Sequence, residues 1–238
     1  MQSIFNRREN KYLVTTEQGA VLQRQLMQCM TIDRQGEYLG QNLYYDTDDW
    51  DIIRESIERP LYKEKLRLRF YDQKTSETRG FLELKKKFKG ITYKRRIDFP
   101  LCELESRSVR EIVSSFDSQI SREINFFLQR NAVSEKVFIV YTRIAYNGLK
   151  DEALRITFDK DVFFRLIGLG NYNSDDNRRI LNHNQMIMEI KTTGAIPLWL
   201  TKALSENSIF PVPFSKFGVC YTGHIFKLRK SGGMSGVA

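Results

Sequence analysis

The feature that most constrains the fold is a run of strand-length segments in which every second residue is charged. Three of them follow one another at residues 64–71, 80–87 and 91–99, and turn residues bound each segment. Successive side chains of a strand point to opposite faces, so residues of equal parity share a face. Each segment therefore predicts a strand with one apolar and one charged face. The turn Lys89-Gly90 predicts a hairpin between the last two.

The remaining sequence predicts further strands and several helices. We expect strands at residues 7–13, 42–45, 136–146, 153–158, 161–167 and 186–193. Helices are expected at 15–30, where Thr15 and Gln18 form a capping-box pair, and at 48–57, 109–129 in two pieces, 197–204 and 215–227. About eight strands with helices mostly at the ends predict an α+β fold. Its eight-stranded antiparallel sheet is expected to close into a β-barrel or tunnel with flanking helices.

Composition narrows the class of protein. The chain has 238 residues without a Gly/Ser-rich linker or an internal repeat, which predicts a single domain over residues 1–230 and a disordered tail over 231–238. No apolar run approaches the roughly 20 residues of a membrane span, and the N-terminus has no apolar signal-peptide region. Three scattered cysteines and two histidines argue against disulfides or structural zinc and favour a reducing compartment. These features predict a cytoplasmic protein.

The net charge predicts an anionic partner. Lys and Arg number 38 against 29 Asp and Glu, which gives +9. Equal parity aligns cations on nearly every predicted strand, as in Arg67 with Arg69 and Lys94 with Arg96. A solvated sheet face is the ordinary explanation for any one such strand. Like charges directly opposite one another destabilise a sheet, however, and the repeated pattern is mostly of one sign.

A closed sheet with a cationic interior makes sense when an anion fills it. The planar fork of an arginine donates two parallel hydrogen bonds, which suits phosphate. A few carboxylates have the parity of these cations, and such groups could hold a divalent ion that bridges phosphates. They are Glu9, Glu83, Asp159 and Glu189. The residues alone therefore predict a tunnel for a polyanion together with a metal.

An ordered series of short motifs carries a family resemblance over about residues 5 to 227. The series comprises Glu9-Asn-Lys-Tyr12, Tyr44-Tyr-Asp46, Lys65-Leu-Arg-Leu-Arg-Phe-Tyr71, Phe81-Leu-Glu-Leu-Lys85, Tyr93-Lys-Arg-Arg96, Tyr141-Thr-Arg143, Leu154-Arg-Ile-Thr-Phe-Asp159, Met188-Glu-Ile-Lys191 and Phe214-Ser-Lys-Phe217. It resembles the VTC domain, the catalytic domain of the vacuolar transporter chaperone polyphosphate polymerases. That domain belongs to the CYTH-like triphosphate tunnel metalloenzyme superfamily.

The resemblance implies a fold, an activity and a set of site residues. The implied fold is an antiparallel β-tunnel lined with basic residues. The implied activity is transfer of the terminal phosphoryl group of ATP, or of another nucleoside triphosphate, to growing inorganic polyphosphate, with Mn²⁺ or Mg²⁺. The catalytic residues would be Arg67, Arg69, Lys85, Arg143, Arg155 and Glu189, and the phosphate-binding residues Lys11, Lys94, Lys191, Ser215 and Lys216. The metal would lie on Glu189, with Glu9, Glu83 and Asp159 as weaker candidates.

One departure from the family pattern bears on the reaction. Many hydrolytic tunnel enzymes begin with Glu-x-Glu-x-Lys, whereas the matching positions here are Arg7, Glu9 and Lys11. The lost acid favours a polymerase. A hydrolase of tripolyphosphate or nucleoside triphosphates and a non-catalytic polyphosphate-binding module remain alternatives.

Two expectations concern partners. Nucleic-acid binding is not expected, because most aromatic residues fall on presumed core faces or in helices. The eukaryotic family members carry membrane spans in additional domains, so coupling to export would require a separate membrane partner that holds the protein at the membrane periphery.

Overall fold

The computed structural model describes residues 8–72, 75–89, 91–167 and 177–226. The strands are β1 Arg8–Thr15, β2 Met30–Asp46, β3 Tyr62–Tyr71, β4 Arg79–Phe88, β5 Ile91–Pro100, β6 Ser134–Gly148, β7 Arg155–Leu166, β8 Arg178–Arg179 and β9 Gln185–Thr192. The α-helices are α1 Thr16–Leu26, α2 Asp51–Ile57, α3 Val109–Ser114, α4 Gln119–Arg130, α5 Leu198–Glu206 and α6 Lys216–Cys220. A 3₁₀ turn follows β5 at Leu101–Glu105, and a π-helical turn follows α6 at Tyr221–Ile225. The tail predicted at 231–238 lies outside the described residues.

The strands form one sheet, and the α+β class is confirmed. The hydrogen-bonded order is β1-β9-β7-β6-β2-β3-β4-β5, with β8 paired to β7. The closed barrel expected from the sequence is wrong, because among the described strands β1 and β5 end this order and do not pair. The outer edge of β1 instead meets a later segment, since Tyr12 bridges to Pro211 and the Val212 N–H donates to the Lys11 carbonyl at 2.7 Å.

The predicted helices and strands agree with the structure where apolar and polar residues alternate regularly, and they differ from it where this pattern is irregular. Thr15 caps α1 through the predicted capping box, and the region 109–129 forms two helices as expected. β2 runs over 17 residues, whereas only 42–45 were predicted. The strands expected at 153–158 and 161–167 are one strand, β7, which continues past a positive φ of 49° at Asp161.

The chain forms two compact units, and the single domain expected over residues 1–230 stays a prediction. Unit 1 comprises residues 1–40, 140–163 and 178–214. Its core packs α1 and α5 against the apolar faces of β1, β7 and β9, with Leu22, Ile156 and Met188 fully buried. Gly19 lets α1 approach β9, because a Cβ at Gly19 would lie 2.6 Å from the Met186 sulfur.

Unit 2 comprises residues 41–139, 164–177 and 215–238. Its core packs α3 and α4 on the apolar face of β3, β4 and β5, with Leu66, Leu82 and Ile124 fully buried. Two cations of this helix-covered face are paired to α4, since Lys86 and Arg95 contact Glu123 at 2.9 and 3.1 Å. Within the described ranges, no helix is long and apolar enough to cross a membrane.

Asp46, the last residue of β2, stabilises the N-terminal end of α2. Its buried carboxylate accepts hydrogen bonds from the N–H groups of Thr47, Ile52 and Ile53 at 2.8, 3.0 and 3.0 Å. The N-cap residue Trp50 offers no side-chain cap and has a positive φ of 64°. Asp46 therefore supplies the acceptor that helix starts need. Burial raises the pKa of Asp46 to about 6, against the lowering effect of these bonds.

We expect Asp46→Ala to lower the free energy of unfolding by about 1–3 kcal/mol, because buried N–H groups lose their acceptor. Urea unfolding at neutral pH measures the change. Asp117→Ala is the matched control, because the Asp117 side chain is fully exposed. Equal stability of the two variants would contradict the capping role.

Candidate functional site

A cationic face runs across β3, β4 and β5 in unit 2. The register places Lys65, Lys85 and Lys94 directly opposite one another on the three strands. We call these three residues the lysine row. The neighbouring row is Arg67, Glu83 and Arg96, and Arg69 stands one row further along β3. Directly opposite residues share a face, so the register agrees with the parity prediction.

Glu83 is the counter-ion of this face. Its side chain is 1% exposed, and Arg67 Nη2 lies 2.8 Å from Oε2. Lys94 pairs with Oε1, and Arg69 Nε lies 3.9 Å from Oε2. Burial alone would raise the pKa of Glu83, but the attraction of Arg67, Arg69 and Lys94 outweighs it and lowers the pKa to about 2. Glu83 is therefore ionised at neutral pH.

Two side chains of β2 and one of β3 orient the arginines. Arg67 Nη1 donates to the Tyr44 hydroxyl at 3.3 Å, and Arg69 Nε donates to Asn42 Oδ1 at 3.1 Å. Arg69 Nη1 also donates to the Tyr71 hydroxyl at 3.3 Å. Contacts of Asn42 and Tyr44 with the arginines were not predicted from the sequence. Asn42 and Tyr44 are two residues apart on β2, so their side chains share a face. Because β2 lies beside β3, this spacing is the sequence signal for contact with Arg67 and Arg69.

Ser215 and Lys216 belong to the start of α6. Ser215 Oγ accepts from the Gly218 N–H at 3.2 Å and caps the helix. Lys65 Nζ of the lysine row donates to the same oxygen at 3.4 Å. The structure thus brings Ser215 to the lysine row, and Lys216 is the next residue. Their phosphate-binding roles stay predictions.

Unit 1 has its own charged face on β1, β9 and β7. One row contains Lys11, Glu189 and Thr157, and the next contains Glu9, Lys191 and Arg155. Cations and carboxylates alternate across this face. Ion pairs join Lys191 to Glu189 at 2.6 Å, Lys11 to Glu9 at 3.7 Å and Arg155 to Asp33 at 2.8 Å. Lys11 Nζ also donates to the Phe214 carbonyl at 3.0 Å.

Glu189 is buried and ionised. Burial would raise its pKa, but the nearby charges of Lys191, Lys11 and Arg143 hold the pKa well below its usual range. Three cations of unit 1 thus keep the carboxylate charged. A charged carboxylate at this position can act as a metal ligand or as a hydrogen-bond acceptor.

Arg143 and Asp159 form a buried bidentate pair. Arg143 Nε and Nη2 donate to the two Asp159 oxygens at 2.5 and 2.7 Å. The Arg143 guanidinium also lies 4.9 Å from the centre of the Tyr141 ring. Both oxygens of Asp159 are therefore engaged by an arginine. The pair fixes the plane and direction of the Arg143 guanidinium, and the metal role of Asp159 stays a prediction.

The donor set for a metal ion is sparse. Among the described residues, no group of three or more His, Cys, Asp or Glu side chains comes together to hold an ion. Glu189 stands opposite Thr157, whose buried hydroxyl has no hydrogen-bond partner within the described part of the chain. One carboxylate with a neighbouring hydroxyl fits Mg²⁺ or Mn²⁺ only if phosphate and water supply the other ligands, as Mg²⁺ commonly requires.

The fold is an α+β sheet whose charged strand faces surround the buried carboxylates Glu83 and Glu189. The family model "VTC domain" matches residues 6–223, and the chain belongs to this family. The resemblance seen in the sequence motifs is confirmed. No curated protein sequence gives a significant match.

Solved structures resemble the fold at low sequence identity. The PH1819 protein from Pyrococcus horikoshii OT3 is 16% identical, with 92% of this chain and 99% of that one covered at a TM-score of 0.50. A putative adenylate cyclase from Vibrio parahaemolyticus is 12% identical, with coverages of 92% and 98% and a TM-score of 0.48. The Schizosaccharomyces pombe Mediator head module contains a chain 11% identical, with coverages of 92% and 96% and a TM-score of 0.43. The likeness to the Pyrococcus protein shows a shared fold.

We expect the stabilisation by Glu83 to depend on pH. Its folded pKa of about 2 lies below the ordinary 4.5, so the stabilisation is full above pH 4.5 and disappears as pH falls towards 2. Urea unfolding should show that the stability lost in Glu83→Gln, of order 2–3 kcal/mol near neutral pH, shrinks in acid. Glu206→Gln, at an exposed position of α5, is the control. A loss that stays constant with pH would exclude this ion-pair role.

We expect Thr157→Val to keep or raise the free energy of unfolding, by up to about 1 kcal/mol, because it removes a buried hydroxyl that lacks a partner. Thr157→Ser keeps the hydroxyl and removes a buried methyl group, so it should lower stability. Thermal unfolding of both variants measures the difference. A clear destabilisation by valine alone would mean that the hydroxyl is hydrogen-bonded in solution.

Proposed function

We propose that the chain is a polyphosphate polymerase that transfers the terminal phosphoryl group of ATP to a growing inorganic polyphosphate chain. The lysine row carries the proposal, because it sets three ammonium groups directly across neighbouring strands. Like charges directly opposite one another destabilise a sheet, so anions beside the row stabilise it, as Glu83 does beside Lys94. A linear polyanion carries such a charge on every phosphate. Membership of the VTC domain family supports the same substrate class.

The arrangement of the arginines supports phosphoryl transfer. Such transfer needs positioning and electrostatic stabilisation rather than a protein nucleophile. Arg67 and Arg69 are held by Glu83, Tyr44 and Asn42, so little reorganisation is needed before they contact phosphate oxygens. In unit 1, Asp159 orients Arg143 in the same way. Lys85 and Arg155 would assist the transfer with them. The phosphate-binding residues of the proposal are Lys11, Lys94, Lys191, Ser215 and Lys216.

Glu189 is the residue proposed to hold Mn²⁺ or Mg²⁺. When bound, such an ion neutralises charge on the phosphates that take part in transfer. The protein's own contribution is the ionised carboxylate, kept charged by Lys191 and Lys11. We further propose a cytoplasmic location, since ATP would be the phosphoryl donor.

A polyphosphate-binding module without turnover is the second candidate. One observation favours it, namely that the described residues contain no group of three acidic or other metal-ligating side chains. Each candidate carboxylate is paired with cations instead. Such a module would bind long polyphosphate tightly and would tolerate the absence of a metal.

Incubation of the purified protein with ATP and Mn²⁺ tests the proposal. The products are separated on a gel that resolves phosphate polymers, and orthophosphate is measured in parallel. A ladder of polyphosphate is the expected result. Orthophosphate without polymer would identify a hydrolase instead. Tight polyphosphate binding with neither product would identify a binding module.

Two variants extend the test to individual residues. Glu189→Gln should abolish turnover, and Arg67→Ala should weaken tripolyphosphate binding by about 10- to 100-fold, because it removes charge-assisted hydrogen bonds. Isothermal titration measures the binding. Arg122→Ala is the matched control, because Arg122 is an exposed residue of α4 paired only with Asp117 among the described contacts. Full activity of Glu189→Gln would remove Glu189 from the metal role.

A further inference from the structure

The three-stranded part of unit 2 ends in an exposed apolar row. Tyr62 on β3, Phe88 on β4 and Ile91 on β5 are directly opposite one another. Leu61 joins them, because its carbonyl accepts a hydrogen bond from the Lys89 N–H at 2.9 Å. We call Leu61, Tyr62, Phe88 and Ile91 the apolar end row. These residues are 72%, 45%, 44% and 40% exposed, respectively.

Cations lie at the same end of the strands as the apolar end row, with Lys63 and Lys87 on the opposite face of the sheet. Lys63 and Lys87 are directly opposite each other in the adjacent row. Lys63 Nζ donates to the Ser56 carbonyl at 2.8 Å. Burial lowers the pKa of Lys63, and the charges of Lys87 and Arg59 lower it further. Lys89 Nζ lies 5.4 Å from the centre of the Phe88 ring. We call Arg59, Lys63, Lys87 and Lys89 the basic collar.

The nearest acid of this sheet face is already engaged. Glu64 follows the apolar end row on β3, and its carboxylate accepts hydrogen bonds from the Tyr62 hydroxyl and from Arg130. Lys86 also lies 3.8 Å from it. The negative charge of Glu64 is thus compensated by Arg130 and Lys86. The basic collar therefore retains an attraction for an external anion.

The size and composition of this surface favour a membrane over a folded protein partner. Stable protein interfaces use about 20–30 residues on each side, far more than these few side chains. Aromatic and aliphatic side chains beside lysines are typical of the membrane–water interface. Basic clusters are attracted to leaflets that contain anionic lipids.

We propose that this end of β3, β4 and β5 docks on a membrane surface that contains anionic lipids. The apolar end row enters the headgroup region, and the basic collar contacts the lipid phosphates. Neither contact uses a residue assigned to phosphoryl transfer. The inference is therefore independent of the proposed polymerase activity.

Vesicle co-sedimentation tests the proposal. Vesicles of phosphatidylcholine alone are compared with vesicles that also contain phosphatidylserine, at low and high salt, with excess tripolyphosphate to occupy the other cationic faces. The protein should bind the anionic vesicles and bind them more weakly at high salt. It should not bind the neutral vesicles. Equal binding to both kinds of vesicle, or complete loss of binding with tripolyphosphate, would overturn the proposal.

Matched variants assign the contact to this surface. The double variant Phe88→Ser and Ile91→Ser should bind anionic vesicles at least about tenfold more weakly, since two apolar groups no longer leave water. Lys89→Gln should weaken binding about fivefold. Leu198→Ser is the control, because Leu198 is 84% exposed on α5 in unit 1, and its binding should be unchanged. Wild-type binding by the double variant, or equal weakening by the control, would exclude the surface.

Turnover of ATP in the absence of vesicles separates the two proposals. The double variant should match the wild type in that assay and in thermal unfolding, because Phe88 and Ile91 are exposed and lie outside the proposed site. A wild-type protein that binds vesicles without making polyphosphate would refute the polymerase alone. The reverse result would refute the membrane contact alone.

Discussion

The charged face of unit 2 depends on one buried carboxylate. Arg67, Arg69 and Lys94 repel one another, and Glu83 supplies the opposing charge that stabilises their arrangement. The burial cost of Glu83 is offset because three cations surround it, which is the condition under which buried charges are tolerated. Glu83 carries one negative charge and lies among three cations. The face is therefore compatible with folding and still attractive to an anion.

Both units place cations around buried carboxylates, but the ratio of cations to carboxylates differs between them. In unit 1, Lys11, Lys191, Arg143 and Arg155 each have a carboxylate partner, namely Glu9, Glu189, Asp159 and Asp33. In unit 2, Glu83 lies among three cations, Arg67, Arg69 and Lys94, and Lys65 and Lys85 add further positive charge. Attraction for phosphate should thus be stronger on the unit 2 face. The unit 1 face offers the better carboxylate for a metal, since Glu189 stands opposite the Thr157 hydroxyl, which has no hydrogen-bond partner among the described residues.

Strict alternation explains why part of this arrangement could be predicted from sequence. A period of two fixes the face of every residue, so Arg67, Glu83 and Lys94 were correctly assigned to one face. Alternation does not determine which strand edges meet, and the barrel prediction failed because residues 211–212 meet the outer edge of β1. Most of β2 was missed, since its first part contains Gly36 at a positive φ and many polar residues. Asn42 and Tyr44 lie in the predicted part, 42–45, but their hydrogen bonds with the arginines were missed because the sequence does not show that β2 lies beside β3.

The same alternation places the apolar end row on the face of β3, β4 and β5 that α4 covers. The row is exposed because the strands extend beyond the end of α4. α4 ends at Arg130, whose guanidinium reaches Glu64, and the row of Tyr62, Phe88 and Ile91 lies one pair further along the strands. Alternation requires this row to point away from Lys63 and Lys87, but it does not require apolar residues there. Polar residues at the same positions would have ended the strands without an exposed apolar patch, which soluble surfaces generally avoid. A phosphate site alone does not explain why these positions are apolar. Contact with a lipid headgroup layer explains both the apolar end row and the lysines of the basic collar.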